Sequence, residues 1–275
     1  MRKVGATTFC VLLLILMVQS HGISMQSKDH FELDDSVHQY TSSKSISTGA
    51  LAWEWAQKVG GSSADDHSNS IAIDANGDVY VTGSFEQTAT FGSTTLSSAG
   101  DFDIFVAKMN STGHWLWAIQ AGGNHDDRGL DLAIDTSGNV FVTGKFQSTV
   151  QFGSDSLTAG PIANDDFFIA KADTWGNWLW VEGADCHNNG RCYGTSVAVD
   201  SAGYAYVTGS FTRDIDFGST TLTWAGVEDI FVAKIDTWGS WQWATMAGGA
   251  QGSDTPHSID IGPQGNAFIA GSFRF

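Results

Sequence analysis

Paired aspartates recur in the links between apolar segments of the sequence. The pairs are Asp65-Asp66, Asp126-Asp127 and Asp165-Asp166. Carboxylate oxygens are the ligands that calcium prefers, so pairs brought to one edge of the fold could form a calcium site. The alternative is that each aspartate accepts hydrogen bonds from backbone N–H groups of its own loop. The sequence favours the loop role and leaves calcium open.

Two tryptophans are the best candidates for contact with a ligand. Trp175 and Trp238 occupy the third position of the turns Asp173–Gly176 and Asp236–Gly239. A tight turn cannot easily bury an indole ring, so both side chains should be exposed, where they can stack on a carbohydrate or on a partner protein. The alternative is simple packing on the rim of the fold.

The N-terminus has the pattern of a secretory signal peptide. Basic residues precede the apolar run Phe9–Val18, and small residues follow it up to Gly22. The run is too short to span a bilayer. We expect a signal peptide at residues 1–22 and a flexible polar leader at residues 23–50. The protein should then be secreted or held at the cell surface, with no membrane span in the mature chain.

Export decides the interpretation of the cysteines. Cys10 would leave with the signal peptide, and the mature chain would keep Cys186 and Cys192. A metal site could add His187 to the two thiolates, but a structural zinc site needs a further pair of ligands. Because an exported protein can keep an even pair oxidised, we predict a disulfide between Cys186 and Cys192.

A repeat of about 63 residues organises the chain after residue 50. Trp-x-Trp pairs begin at Trp53, Trp115, Trp178 and Trp241, at intervals of 62, 63 and 63 residues. A fixed period of this size indicates a repeat architecture. Because residues i and i+2 of a strand share a face, both rings of each pair should pack between neighbouring repeats.

Each repeat contains short apolar segments separated by turn residues. In the first repeat, strands are expected at 69–74, 79–85, 103–109 and 114–119. The first strand is joined to the second, and the third to the fourth, by sequences with Asp or Asn at the first position and Gly at the fourth. These residues supply the side-chain acceptor and the positive φ that tight turns need. Tandem four-stranded units without a helical period are typical of β-propeller blades.

We therefore predict an all-β fold, a β-propeller of four-stranded antiparallel blades over residues 51–275. Complete blades are expected at about 62–123, 124–186 and 187–249, followed by a partial fourth. The first residues of this region supply only a fourth strand, and the last residues supply only a first and a second. Either these strands pair directly and close a minimal ring, or the ring stays an open arc that could associate with another copy or a partner.

The run Ile73–Gly83, followed by Phe91-Gly92 and by Asp103–Lys108, resembles the SBBP family of bacterial and archaeal β-propeller repeats. The resemblance extends over residues 51–275. It implies an exported propeller used as an extracellular binding or structural module, generally without catalytic activity. It assigns no catalytic residue, because the shared positions are turn and core positions. The family name refers to seven blades, and this chain has far fewer.

Charge and motif content narrow the function further. The chain has 13 basic and 30 acidic residues, a net charge of −17, which argues against nucleic acid as a partner. The sequence contains no G-x-S-x-G, no H-E-x-x-H and no phosphate-binding glycine loop, so we predict no enzymatic activity. The expected function is an extracellular structural, adhesive or protein-interaction module. The alternative is a lectin-like propeller that binds carbohydrate, with or without calcium.

Overall fold

The computed structural model describes residues 11–13, 55–61, 65–160 and 165–274. These residues form antiparallel β-sheets, so the predicted all-β fold class is confirmed. The first two strands, β1 (Val11–Leu13) and β2 (Gln57–Val59), pair with each other. The helical structure in the described ranges is limited to the 3-10 turn His187–Asn189.

Three antiparallel meanders of four strands each follow along the described chain. The first sheet contains β3 (Asp66–Ile73), β4 (Val79–Phe91), β5 (Thr94–Met109) and β6 (Trp115–Ala121). The second contains β7 (Arg128–Ile134), β8 (Val140–Phe146), β11 (Asp166–Ala172) and β12 (Trp178–Gly183), with the hairpin β9 (Thr149–Phe152) and β10 (Asp155–Thr158) inserted after β8. The third contains β14 (Cys192–Val199), β15 (Ala205–Phe211), β18 (Asp229–Ile235) and β19 (Trp241–Ala247).

Shorter strands complete the described fold. A small sheet joins β13 (Asp185–Cys186), β16 (Ile215–Phe217) and β17 (Thr220–Leu222). The last hairpin pairs β20 (Thr255–Ile261) with β21 (Ala267–Ser272). In the first sheet, β4 and β5 run past their expected ends, because Thr88–Phe91 pairs with residues 94–97 in an extension of the hairpin.

The predicted tight turns form as the sequence indicates. In the turn between β3 and β4, the Asp74 carboxylate accepts hydrogen bonds from the backbone N–H groups of Asn76 and Asp78, at 2.9 and 3.0 Å. Gly77 closes this turn with a φ of 80°, a value that favours glycine because it has no Cβ. The corresponding aspartate or asparagine and glycine build the equivalent turns of the later repeats.

The recurring Val-Thr-Gly sequence of each second strand has a packing reason. The buried Thr82 hydroxyl donates a 2.8 Å hydrogen bond to the carbonyl oxygen of Phe105 on the neighbouring strand. Thr143 and Thr208 make the same bond in the next two sheets. The glycine after each threonine has no room for a Cβ, which would lie 1.8–2.0 Å from a carbonyl oxygen of the first strand. The motif is therefore explained by the core of the repeat.

The sheets stack so that the first strand of each packs against the sheet before it. The equivalent apolar residues Leu132, Val197 and Ile259 are 5%, 4% and 5% exposed. Ile71, at the same position in the first four-stranded sheet, is 44% exposed, because no other four-stranded sheet precedes it in the described residues. Burial at this position therefore depends on the neighbouring repeat, as expected for a repeat that cannot cover its own face.

The two tryptophans of each Trp-x-Trp pair have different partners. The second ring packs on the next repeat, where Trp117 donates its indole N–H to the carbonyl oxygen of Thr174 at 3.0 Å. Trp180 makes the equivalent bond to Thr237 at 3.1 Å. The first ring of the pair packs on its own repeat, since Trp115 lies edge-on to Phe91 at 5.1 Å. Packing between repeats is thus confirmed for the second ring. First rings of the later pairs also contact the preceding repeat, since Trp178 donates its indole N–H to the carbonyl oxygen of Gln120 at 3.1 Å and Trp241 lies 6.0 Å from Phe167.

A chain of hydrogen bonds links the first strands of four successive sheets. The Asp131 carboxylate accepts bonds from the hydroxyl of Ser70 at 2.6 Å and from the hydroxyl of Ser196 at 2.7 Å. The Ser196 hydroxyl in turn accepts the backbone N–H of Ile259 at 3.3 Å. Asp131 therefore joins the first strands of neighbouring repeats.

Most of the predicted signal peptide and leader lies outside the described residues, as does Trp53. The strand expected at 51–58 is described only as Gln57–Val59, which pairs with β1. Trp55 lies just before it and donates its indole N–H to the carbonyl oxygen of Ser111 at 3.3 Å. Trp55 therefore contacts the first sheet in the way that Trp117 contacts the second.

Candidate functional site

The tight turns of the three sheets lie along one edge of the stack, which we call the turn rim. It consists of the turns between the first and second strands, and between the third and fourth, at Asp74–Gly77, Asn110–Gly113, Asp135–Gly138, Asp173–Gly176, Asp200–Gly203 and Asp236–Gly239. The opposite edge carries the remaining links and is called the acidic rim. Each rim gathers one class of the residues that the sequence singled out.

Trp175 and Trp238 are exposed on the turn rim, as expected from their positions in tight turns. Their exposed fractions are 75% and 78%, the largest among the exposed large apolar residues of the described chain. Two hydrogen bonds from the preceding sheet fix the turn that carries each ring. For Trp175, the indole of Trp117 binds the carbonyl oxygen of Thr174, and the Lys108 ammonium donates to the Thr174 hydroxyl at 3.3 Å.

A buried ion pair supports this arrangement in successive repeats. The Lys108 ammonium lies 3.4 Å from the Asp74 carboxylate and 3.1 Å from that of Asp78. Lys171 lies 3.4 Å from Asp135 and donates to the Thr237 hydroxyl at 2.7 Å. Although burial opposes the charged form, hydrogen bonds from Lys108 to Tyr80 and Asp78 leave the pKa of Lys108 raised. The lysines of the Phe-Val-Ala-Lys segments thereby connect the turns of adjacent sheets.

A cleft of about 260 Å³ opens on the turn rim between the first two sheets. Ile73 and Ile134 contribute apolar surface to it, and Thr174 lines one side. Asn76 and Ser137 are exposed turn residues of its wall. The sequence alone did not reveal this cleft, because it depends on how two sheets sit side by side.

On the acidic rim, the buried aspartates act as acceptors for their own loops. Asp127 accepts the backbone N–H of Gly123 at 2.7 Å and that of Gln147 at 3.1 Å. Asp66 accepts Gly61 at 2.9 Å, and Asp166 accepts Gly160 at 3.1 Å. Asp103, Asp229 and Asp254 do the same in their loops. The loop role favoured from the sequence is therefore present at each of these positions.

Burial makes several of these carboxylates weak acids. Desolvation raises the pKa of Asp127 to about 7, with a smaller contribution from the negative charges of Asp103 and Asp126. The pKa of Asp103 rises to about 6 and that of Asp166 to about 6 for the same main reason. The pKa of Asp66 is also raised by burial. The acidic rim therefore takes up protons near neutral pH.

The other aspartate of each predicted calcium pair lies nearer the solvent. Asp126 binds the guanidinium of Arg128 at 2.8 Å and lies 3.5 Å from the Lys145 ammonium. Lys145 also lies 3.1 Å from Asp165, while Asp65 is exposed. Five of these six carboxylates are therefore already bonded within the protein. Calcium binding by Asp65, Asp66, Asp126, Asp127, Asp165 and Asp166 stays a prediction.

Cys186 and Cys192 form the predicted disulfide, with Cα atoms 6.4 Å apart. Comparison with the other repeats explains the position of this disulfide. Cys192 stands where the other repeats have Asp66, Asp127 and Asp254, and Cys186 stands where they have the glycine whose N–H binds that aspartate. A covalent bond thus replaces the carboxylate-to-backbone hydrogen bond that closes the same loop elsewhere.

His187 belongs to a small polar cluster next to the disulfide. Its Nε2 atom lies 2.8 Å from the Asp216 carboxylate, and Asp185 lies on the paired strand directly opposite Asp216. The hydrogen bond to Asp216 raises the pKa of His187. From the sequence we predicted a disulfide and not a zinc site with cysteine ligands. The geometry agrees, since the two sulfur atoms are bonded to each other.

Comparison with known proteins identifies the repeats. The family model described as SBBP, beta-propeller repeat, matches residues 54–84, 116–145 and 187–210. The chain therefore carries SBBP β-propeller repeats at three places, as the resemblance predicted. Each match spans the start of one of the sheets described above.

Two curated relatives are much longer than this chain. An uncharacterized WD repeat-containing protein of Acanthamoeba polyphaga mimivirus is 28% identical over 158 residues, which make up 52% of this chain and 11% of that protein. Regulatory protein FlaEY of Caulobacter vibrioides is 26% identical over 254 residues, which make up 88% of this chain and 26% of that protein. The matched region is thus about a quarter or less of either relative. Within the described residues, no helix is long and apolar enough to cross a membrane.

Proposed function

We propose that this chain is an exported, non-catalytic β-propeller module that binds a partner protein through its turn rim. The observation that carries the proposal is the exposure of Trp175 and Trp238, 75% and 78%, at equivalent positions of successive repeats. Large aromatic rings held on a rigid frame supply contact area at low entropic cost and are enriched among residues that dominate interface energies.

The three four-stranded sheets are assigned as consecutive blades, and β20–β21 as the first half of a fourth. Stacking of equivalent first strands and the repeated tryptophan contact between sheets support this assignment. The outer faces of the stack expose Ile71 at one end and Phe268 at the other, 44% and 63% respectively. These faces can be covered by a further repeat or by a second copy of the chain.

Site-directed photo-crosslinking tests the rim. A benzoylphenylalanine placed at Trp175 or Trp238 should crosslink to a protein of the extracellular fraction of the source organism. Thr112 is the matched control, because it holds the same position in the turn of the first repeat and is also exposed. Equal crosslinking from all three positions, or none from the two tryptophan positions, would contradict the proposal.

The export step has its own test. Expression of the full chain in a host with a secretory pathway should release a protein whose N-terminus is Ile23, since the signal pattern ends at Gly22. N-terminal sequencing of the secreted protein measures this directly. Retention of residues 1–22 on an intracellular product would overturn the assignment of a signal peptide.

A further inference from the structure

The cleft between the first two sheets has the chemistry of a small polar binding site. Its volume is about 260 Å³, and Ile73 and Ile134 line it with apolar surface. Asn76, Thr136 and Ser137 also line it and are exposed. Within the described chain, the side chains of these three residues make no hydrogen bond to another residue, so their amide and hydroxyl groups are available to a ligand.

The carboxylates that line the cleft are already bonded to other groups of the protein. The side chains of Asp74 and Asp135 are 8% and 6% exposed, and each lies 3.4 Å from a buried lysine ammonium. Their remaining oxygens accept backbone N–H groups of the turns. The cleft therefore offers neutral donors and acceptors beside two carboxylates that are each paired with a lysine. A neutral ligand suits such a surface better than an anion or a metal ion.

An exposed aromatic residue is the sequence neighbour of a residue that lines the cleft. Trp175 directly follows Thr174, which lines the cleft and whose hydroxyl and carbonyl oxygen are fixed by Lys108 and Trp117. Hydroxyl-binding groups together with aliphatic and aromatic surface match a sugar, which presents hydroxyl groups at its edge and C–H groups on its face. A flat surface of a partner protein would not fill this cleft.

We propose that this cleft binds one neutral sugar residue of an oligosaccharide. Asn76, Thr136 and Ser137 bind its hydroxyl groups, and the indole of Trp175 stacks on the adjoining sugar. The inference goes beyond the proposed binding of a partner protein. The sugar site lies within the turn rim, and of the two exposed tryptophans it uses only Trp175. Trp238, in the equivalent turn one repeat further on, has no role in the sugar site.

The test is a titration of the secreted protein with neutral hexasaccharides of glucose, mannose or N-acetylglucosamine, followed by saturation-transfer NMR and tryptophan fluorescence. At least one hexasaccharide should bind with a dissociation constant below about 1 mM. Ser137→Phe, which places a ring in the cleft, should abolish binding. Trp175→Ala should weaken it about tenfold, the loss expected for one stacked aromatic contact.

Trp238→Ala is the matched control, because its ring is equally exposed in the equivalent turn. It should leave the sugar affinity unchanged. No binding of any hexasaccharide at about 10 mM, or equal loss from Trp175→Ala and Trp238→Ala, would overturn the inference. Circular dichroism of each variant verifies folding, and Asn76→Ala serves as a milder second variant if Ser137→Phe does not fold. Crosslinking from Trp238 without sugar binding would leave the protein-binding rim intact and refute only the sugar site.

Discussion

The disulfide of the third repeat occupies the place of a hydrogen bond in the other repeats. Replacing it tests whether the two kinds of bond are equivalent. We compare two variants that both lack the disulfide. Cys186→Gly with Cys192→Ala removes the disulfide without replacing it. Cys186→Gly with Cys192→Asp recreates the glycine and aspartate that close the loop around Asp127. The two variants differ only in a carboxylate at position 192.

The magnitudes follow from loop size and burial. The disulfide closes a loop with a sequence separation of six residues, for which the chain-entropy relation gives about 2 kcal/mol. The Cys186→Gly, Cys192→Ala variant should therefore lose at least about 2 kcal/mol. A carboxyl oxygen that accepts a backbone N–H contributes about 1 kcal/mol, so the aspartate variant should regain part of the loss.

The regained stability should depend on pH. Asp166 lies beside the site, with its Oδ1 atom 4.0 Å from the Cys192 sulfur, and burial raises its pKa to about 6. Above pH 6 the introduced carboxylate would face this negative charge, as Asp127 faces Asp103. Urea unfolding followed by tryptophan fluorescence at pH 5 and pH 8 measures the effect. If the aspartate variant is no more stable than the alanine variant at pH 5, the equivalence of disulfide and hydrogen bond is refuted.

Three further predictions follow from the same contacts. Burial raises the pKa of Asp127 to about 7, well above its value near 3.8 in the unfolded chain. The folded protein therefore binds more protons than the unfolded chain between pH 4 and 7, and the free energy of unfolding should fall by up to about 4 kcal/mol as pH rises through 7. Asp127→Asn should flatten that dependence in denaturant titrations. Trp180→Phe should cost about 1–2 kcal/mol through loss of its bond to Thr237, while Trp243→Phe, 39% exposed with no described turn beyond it, should cost less than about 0.5 kcal/mol in the same assay. If the rim aspartates bind calcium, calcium should raise the melting temperature, and an equal melting temperature in calcium and in chelator would refute the predicted metal site.

Local features of the fold could be predicted because each has a local physical cause. The turn at Asp74 needs only an acceptor at its first position and a glycine at its fourth, so the sequence specifies it without knowledge of the rest of the chain. The disulfide was predicted from parity and export, which are also properties of sequence. The period of the tryptophan pairs indicated that repeats pack on one another, and the buried Leu132 shows the result.

The parts that could not be predicted depend on the relation between elements. Trp115 and Trp117 share a strand, yet Trp115 packs on Phe91 of its own sheet and Trp117 binds Thr174 of the next sheet. The cleft arises only when the turns of Asp74 and Asp135 come side by side. A sequence with the same strands in another register would keep every motif and lose both features.

The acidic rim and the turn rim differ in what their charged residues bind. On the acidic rim, Asp66, Asp127 and Asp166 lie within the fold and hold loops, so their recurrence reflects folding and does not by itself indicate a ligand. On the turn rim, Lys108 balances the equally regular Asp74, which leaves the exposed tryptophans and neutral side chains to meet the solvent. A repeat fixes the residues that every copy needs for folding, so binding is best sought where copies differ. Trp175 and Trp238 meet that criterion, because the first copy has Thr112 at their position.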